Sequence, residues 1–292
     1  MSVTASPDPA ASRTARLRLA YVEACLIELR ALKPGNVHLH AEGHGMTVAD
    51  FTRSAHASAA PLTMPGAAIG ERIRGAIVAT RSAVGLNTNL GIVLLAAPLL
   101  AAAEEAQKGL RYALAPVLAR LSVADAVAAY DAIRLAAPAG LGQVGEQDAA
   151  TVPSVDLRRA MGLAAERDSI ARQYVTCFAD VFDIGVARLR ARSEGDIEWA
   201  AAHVYMDFLA ARRDSHIARK HGEAVAERVR AEALQLMSVI ARQADPEKIR
   251  TELLEFDRRL KADGLNPGTS ADLTVASLLA FACENIVRGQ QE

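Results

Sequence analysis

Apolar residues recur at helical spacing through most of the chain, and no stretch alternates apolar and polar positions as a half-buried strand would. That property confines the fold to packed helices. Composition agrees: 51% of residues are hydrophobic but only 4% are aromatic, so the interior is built from Ala, Leu, Val and Ile, which suits helices better than sheets. Proline and glycine divide the pattern. A helix over 17–32 stops at Lys33-Pro34-Gly35, Thr47 with Asp50 reads as a capping box opening a helix to Ala60, and 68–84 ends at Gly85. Further helices are expected at 90–107 and 112–135, kinked or bounded by Pro98 and Pro116, and at 160–192, 196–211, 217–242, 246–262 and 270–288. The expected fold class is all-α, a multi-helix globular bundle. Residues 1–14 read as a disordered tail and 15–292 as one all-helical catalytic domain, with the loop at 138–153 as the one place for a subdomain boundary.

Thirty-three basic and thirty-four acidic residues leave a net charge of −1, so neither nucleic acid nor an anionic membrane is an expected partner and any anion site must be local. The three cysteines, Cys25, Cys177 and Cys283, show no C-x-x-C spacing. They read as core thiols of a cytoplasmic protein and not as a zinc ribbon or a disulfide framework. The N-terminal segment lacks the basic and apolar regions of an export signal, and the most apolar run, 92–103, falls well short of the roughly 20 residues that span a bilayer. Ala-rich helices with few aromatics leave a homodimer open.

Four polar, glycine-bearing segments interrupt the apolar pattern. In Gly264-Leu265-Asn266-Pro267-Gly268-Thr269-Ser270-Ala271-Asp272 a Pro/Gly turn meets the start of an apolar helix. Thr269 or Ser270 is the expected N-cap, Asp272 falls in the expected first turn, and the free amides there would face a phosphate that Gly268 lets approach. An ordinary helix cap uses the same residues. Lys33-Pro34-Gly35-Asn36-Val37-His38, followed by His40 and His44, puts a cation, an amide and imidazoles on one loop, although an exposed turn explains it as well and no zinc site is expected. Gly85-Leu86-Asn87-Thr88-Asn89-Leu90-Gly91 offers amides that read hydroxyls or a purine edge, or serve simply as turn and cap residues. Arg212 to Gly222 is the densest cluster of charge and imidazole. There Asp214 could hold magnesium while basic residues meet phosphates, or Asp214 or Ser215 could cap a helix; Asp207 ranks below Asp214. Gly140-Leu141-Gly142-Gln143-Val144-Gly145 has the letters of a dinucleotide fingerprint but no preceding strand, which excludes that reading.

In this order, the 33–38 segment, the 80–91 stretch with Asn87-Thr88-Asn89, and the 264–272 segment resemble the triphosphoribosyl-dephospho-CoA synthases, which make the prosthetic-group precursor of citrate lyase and malonate decarboxylase. The resemblance runs from about Tyr21 to the C-terminus. It implies an all-helical enzyme that displaces adenine from ATP and joins the triphosphoribosyl group to the 2'-hydroxyl of dephospho-CoA, with Mg2+ on the triphosphate. On that basis Asp214 and Asp272 are the metal or cation-stabilising candidates. Lys33, Lys220 and the Gly268, Thr269 and Ser270 backbone would hold phosphates, with Asn266 in the same turn, while Asn36, Asn87 and Asn89 would contact ribose or base. His38 or His216 would be the general base, and Glu71 falls where the family places a glutamate. Two departures stand out: Asn89-Leu90 replaces the family's usual His-Lys, and Gly43-His44-Gly45-Met46 lacks the aspartate of its Gly-Ser-His-x-Asp-Met segment. These leave room for a related transferase of one-carbon (methanopterin-type) cofactor synthesis with another acceptor. A magnesium-dependent nucleotide phosphohydrolase and a non-catalytic helical interaction protein are the competing classes.

Overall fold

The computed structural model describes residues 9–39, 41, 45–136, 152–191 and 196–289. Among them are fourteen α-helices, one π-helical turn and no strand. The helix expected from residue 17 begins already at Pro9 and forms α1 (Pro9–Arg30). Helix α2 (Val48–Leu62) opens on the expected capping box: Asp50 N–H donates to Thr47 Oγ1 (3.2 Å) and Thr47 N–H donates to Asp50 Oδ2 (3.0 Å). Helix α3 (Ile69–Val84) closes on Gly85, whose φ of 72° is left-handed. Helix α4 (Leu90–Glu105) is apolar on every side and buried from Ile92 to Ala103, with Pro98 inside it.

Three segments expected as continuous helices are broken, each by a local device. Ser122 and Asp125 form a second capping box, which separates α5 (Leu110–Ala119) from α6 (Val123–Ala136). Asp168 accepts from Ile170 N–H and Ala171 N–H and so divides α7 (Leu157–Ala164) from α8 (Ser169–Thr176). Cys177 and Phe178 then take positive φ before a π-helix at Val181–Val186 runs into α9 (Ala187–Ala191). After α10 (Ile197–Ala211), Gly222 with φ 92° separates α11 (Ser215–His221) from α12 (Glu223–Ile240). Helix α13 (Pro246–Ala262) has Asp245 as N-cap and Pro246 in its first turn, and α14 (Gly268–Arg288) follows.

The buried apolar residues form two clusters. The larger gathers α1 to α9 and the π-helix with parts of α10 and α14; the smaller gathers α11, α12 and α13 with Leu32, Leu265, Ala271 and the C-terminal part of α10. Helices α10 and α14 contribute to both and make the seam. Helix α14 packs against α1, α4, α10 and the π-helix and buries fourteen of its residues. At about 1.5–3 kcal/mol for each large side chain removed from water, it is a main source of hydrophobic stabilisation. It is the one described helix long and apolar enough by itself to cross a bilayer, but 72% of that stretch is buried by protein, as befits a core helix.

Candidate active site

Four chain segments converge at the start of α14, on the seam. The helix begins at Gly268 with Pro267 as N-cap, two residues earlier than expected, so neither Thr269 nor Ser270 caps it and Asp272 lies beyond the first turn. The dipole support expected for Asp272 is correspondingly reduced. Most amides expected to face a phosphate are already engaged: Gly268 donates to Asn266 O (2.8 Å), Ser270 to Asp214 Oδ2 (2.8 Å) and Ala271 to Pro267 O (3.3 Å).

Asp214 explains part of that engagement. Its Oδ1 accepts from His216 N–H (2.9 Å) and Ile217 N–H (3.2 Å), and its Oδ2 from the backbone and hydroxyl of Ser270 (both 2.8 Å). A carboxylate has about four lone-pair sites, and all are filled. Asp214 therefore caps α11 and fastens it to α14, and the metal-ligand role expected of it does not fit this arrangement. Burial raises its pKa while the four donors oppose that rise. His216 stands against the same turn: its N–H also reaches Thr269 Oγ1 (3.1 Å), and a Cβ on Gly268 would lie 3.0 Å from its Nδ1.

Asp272 is different. Among the described residues its carboxylate has no hydrogen-bond or ion-pair partner. It lies directly over Gly91 at the start of α4, where an added Cβ would come within 2.0 Å of Oδ2. Burial, and then the nearby charges of Glu28, Asp214 and Asp168, push its pKa well above the usual carboxylate range, with Arg219 acting weakly the other way. No three His, Cys, Asp or Glu side chains among the described residues are grouped to hold a metal ion alone. Magnesium carried by a triphosphate needs only one or two protein carboxylates, the rest of its shell being phosphate and water. Asp272, partnerless and held toward its protonated form, fits that requirement because a cation would favour its ionised form.

The 33–38 loop is anchored beside the same turn. Lys33 is fully buried, its ammonium paired with Glu28 on α1 and donating to Asn36 Oδ1 (3.1 Å). Burial alone would neutralise both, lowering the lysine and raising the glutamate; their attraction opposes this. Lys33 thus organises the loop and is not an open phosphate ligand. Asn36 Nδ2 donates to Asn266 Oδ1 (2.7 Å), which joins the first and last of the polar segments. Gly35, with φ 81°, packs a bare Cα against Leu260 and Leu265 and donates to Asp257 Oδ1 (2.8 Å). His38 is buried on the far side, 3.4 Å from Asp257 Oδ1 and 3.4 Å from Lys261 Nζ on α13. Burial, above all, lowers its pKa. It anchors the loop, and the expected role as base does not suit that enclosure.

Of the 85–91 segment, Asn87 Oδ1 accepts from Leu90 N–H (3.3 Å) as a helix-start cap, and Thr88 bonds the Ser54 hydroxyl (2.5 Å). Asn89 is buried, with Nδ2 donating to Ser58 Oγ (3.3 Å) and Thr80 Oγ1 (3.1 Å). A half-open cleft there is lined by Tyr21, Cys25, Glu28, Phe51, Asn89 and Ile92, among others. Lys220 is exposed on α11. Asp207 is held bidentately by Arg188, and Glu71 accepts from Ala68 N–H (3.2 Å) at the start of α3, so both are structural. His40, His44 and the 140–145 glycines lie outside the described residues. Sequence reasoning missed Glu28 and Asp168; a charge amid the apolar positions of α1 was the signal for Glu28, and an Asp three residues before an apolar Ala171 gave little for Asp168.

A family model described as CitG, ATP:dephospho-CoA triphosphoribosyl transferase, matches residues 14–290. A crystal structure from Archaeoglobus fulgidus, provisionally named a triphosphoribosyl-dephospho-CoA synthase, superposes with a TM-score of 0.62 at 24% identity, covering 81% of this chain and 98% of that one. At that identity the likeness concerns the fold. No curated protein matches the chain significantly.

Proposed function

Because the chain belongs to the ATP:dephospho-CoA triphosphoribosyl transferase family, we propose that the partnerless carboxylate of Asp272 is the centre of its transfer chemistry. The enzyme is a transferase that moves the triphosphoribosyl group of ATP to dephospho-CoA and releases adenine. In that reaction the bond from ribose C1' to adenine N9 breaks with its electron pair going to N9, which takes up a proton. The 2'-hydroxyl oxygen of the acceptor bonds C1' and gives up its own proton. Positive charge builds on the ribose in between, and a fixed anion beside it lowers the barrier.

Asp272 supplies that anion, or holds the cation of the triphosphate. The observation that carries this assignment is its lack of any hydrogen-bond or ion-pair partner among the described residues, although it is surrounded by Glu28, Asp214 and Asp168. A magnesium ion, when bound, would screen the triphosphate, with Asp272 as its protein ligand. Asp214 positions α11 so that His216 lies beside Gly268, where the imidazole can accept the hydroxyl proton. Arg219 and exposed Lys220 on α11 meet the phosphates at the rim. Asn36 and Asn266, bonded to one another, keep the turn in register. The three cysteines are free thiols, which supports a cytoplasmic location.

The test is mass-spectrometric detection of adenine after mixing the protein with ATP, magnesium and dephospho-CoA, with a parallel sample lacking the acceptor. Acceptor-dependent adenine and a triphosphoribosyl adduct are expected. ADP and phosphate released without acceptor would favour a phosphohydrolase, and adenine in neither sample would overturn the assignment of acceptor.

A further inference from the structure

Asp180, just before the π-helix, is buried and draws three side chains to its carboxylate. Its Oδ2 accepts from Gln173 Nε2 (2.9 Å) and Arg172 Nε (3.3 Å) on α8, and its Oδ1 from a terminal nitrogen of Arg212 (3.2 Å) in the α10–α11 connection. One carboxylate balances one cation, so the group keeps one positive charge in excess. An arginine dedicated to a carboxylate can grip it with two nitrogens, as Arg188 grips Asp207 and Arg111 grips Asp183. Arg172 and Arg212 each give Asp180 one nitrogen only. Both terminal nitrogens of Arg172 and the second terminal nitrogen of Arg212 have no partner among the described residues. These donors are reachable: the two side chains are 35% and 41% exposed, and of their unpaired nitrogens only Arg212 Nε is shut away from the surface.

An exposed ion pair adds little to stability, which gives a second arginine on Asp180 little structural reason. Two guanidinium forks fixed at one point are, however, preorganised for the oxygens of neighbouring phosphates. Gln173, fully buried and also donating to Ser169 O (3.0 Å), holds Asp180 in place from beneath. The location agrees with a substrate. Ser169 N–H donates to Ser215 Oγ (2.9 Å), which joins the starts of α8 and α11, and Ile170 lies with Asp272 against Gly91. Arg172 N–H donates to Asp168 O (3.0 Å), and the Asp168 carboxylate faces Arg219 (3.9 Å). The arginine pair therefore begins about one helix turn, roughly 5.4 Å, along α8 from the Asp168 and Arg219 charges that act on Asp272.

We propose that Arg172 and Arg212 form a phosphate-chain site that binds the phosphoanhydride oxygens of a nucleotide substrate, with Asp180 and Gln173 as positioning residues. The proposal rests on the transferase reading, under which two such chains exist, the triphosphate of ATP and the diphosphate of dephospho-CoA.

The test is calorimetric titration of the full chain with magnesium-ATP and, separately, with dephospho-CoA, for wild type, Arg172→Gln and Arg212→Gln. Each variant should bind at least one of the two about 10–100-fold more weakly, the scale of a lost charge-assisted contact, with a Tm within about 4 °C of wild type. A loss for ATP assigns the pair to the triphosphate, and a loss for dephospho-CoA assigns it to the acceptor's diphosphate; either supports the site. Should Arg212→Gln fail to fold, Arg212→Lys, which keeps a cation for Asp180 without the planar fork, should still weaken the same ligand severalfold. Affinities for both ligands that match wild type in the folded variants overturn the proposal. Because each substrate is titrated without the other, binding is read apart from turnover. Adenine release with affinities unchanged by the substitutions would sink the arginine site and leave the transfer assignment standing. Ligand-specific loss in a protein that releases no adenine would do the reverse.

Discussion

The carboxylate of Asp272 is half-buried near other carboxylates, with no donor of its own among the described residues, so its charge opposes the folded state while serving the reaction. A neutral isostere separates the two effects. Asp272→Asn should cut adenine release by about 10²–10³-fold, the scale of losing one preorganised electrostatic group, while its Tm in thermal denaturation stays at or above that of wild type. A grossly unfolded variant would instead make Asp272 structural. Gly91 supports the same carboxylate from beneath. An alanine there has ordinary helix propensity but places its Cβ within 2.0 Å of Oδ2, which pushes the carboxylate aside. Gly91→Ala should lower kcat by about 10²-fold, as a displacement near 1 Å does, with an unchanged far-ultraviolet circular dichroism spectrum. An unaffected kcat would show that the position of Asp272 is unimportant.

Between elements, Asp214 does what glycine and hydrophobic contact cannot, fixing the angle of the short α11 against α14 through four hydrogen bonds. An asparagine would turn its NH2 toward two of those donors. Asp214→Asn should therefore cost about 2–4 kcal/mol in urea unfolding, from lost capping and charged hydrogen bonds, whereas a variant of wild-type stability that lost only turnover would restore Asp214 to the chemistry. Helix existence was legible wherever local rules sufficed: the Thr47–Asp50 box, Asp245-Pro246 and Gly85 all act as their residue types require. The breaks at Ser122, Asp168 and Phe178 were not legible, because apolar periodicity continues across them and only hydrogen bonding or backbone strain marks the interruption. Site segments were legible for a similar reason, since Pro, Gly and Asn signal turns. The direction of their side chains was not. Lys33 reads as an exposed cation until its pairing with Glu28, five residues earlier and off the helical period, is known.

Across the whole molecule, two apolar clusters meet at α10 and α14, and the polar segments close over that seam. The loop that joins them depends on His38 and Asp257. Burial holds the His38 pKa below its ordinary value near 6.5, so the unfolded chain binds a proton more readily than the native one in the window just below that pH. The contribution of His38 is then fully present above about pH 6.5 and falls as pH drops toward the folded value. Burial pulls the Asp257 pKa upward, but hydrogen bonds from His38, Gly35 and Lys261 outweigh it and leave the pKa low, so that contribution is lost only below about pH 4. Tm measured against pH should fall in wild type as pH drops below about 6.5 and stay flatter there in His38→Gln; parallel curves would show that the imidazole does not titrate with unfolding. Helix α14 carries one consequence further. It comes after every helix it packs against, so on the ribosome α1, α4 and α10 emerge with their seam-facing sides uncovered and wait for a partner not yet made. Early, vectorial completion of the core is ruled out, and the growing chain is a natural client for chaperones until Gly268–Arg288 is free of the exit tunnel.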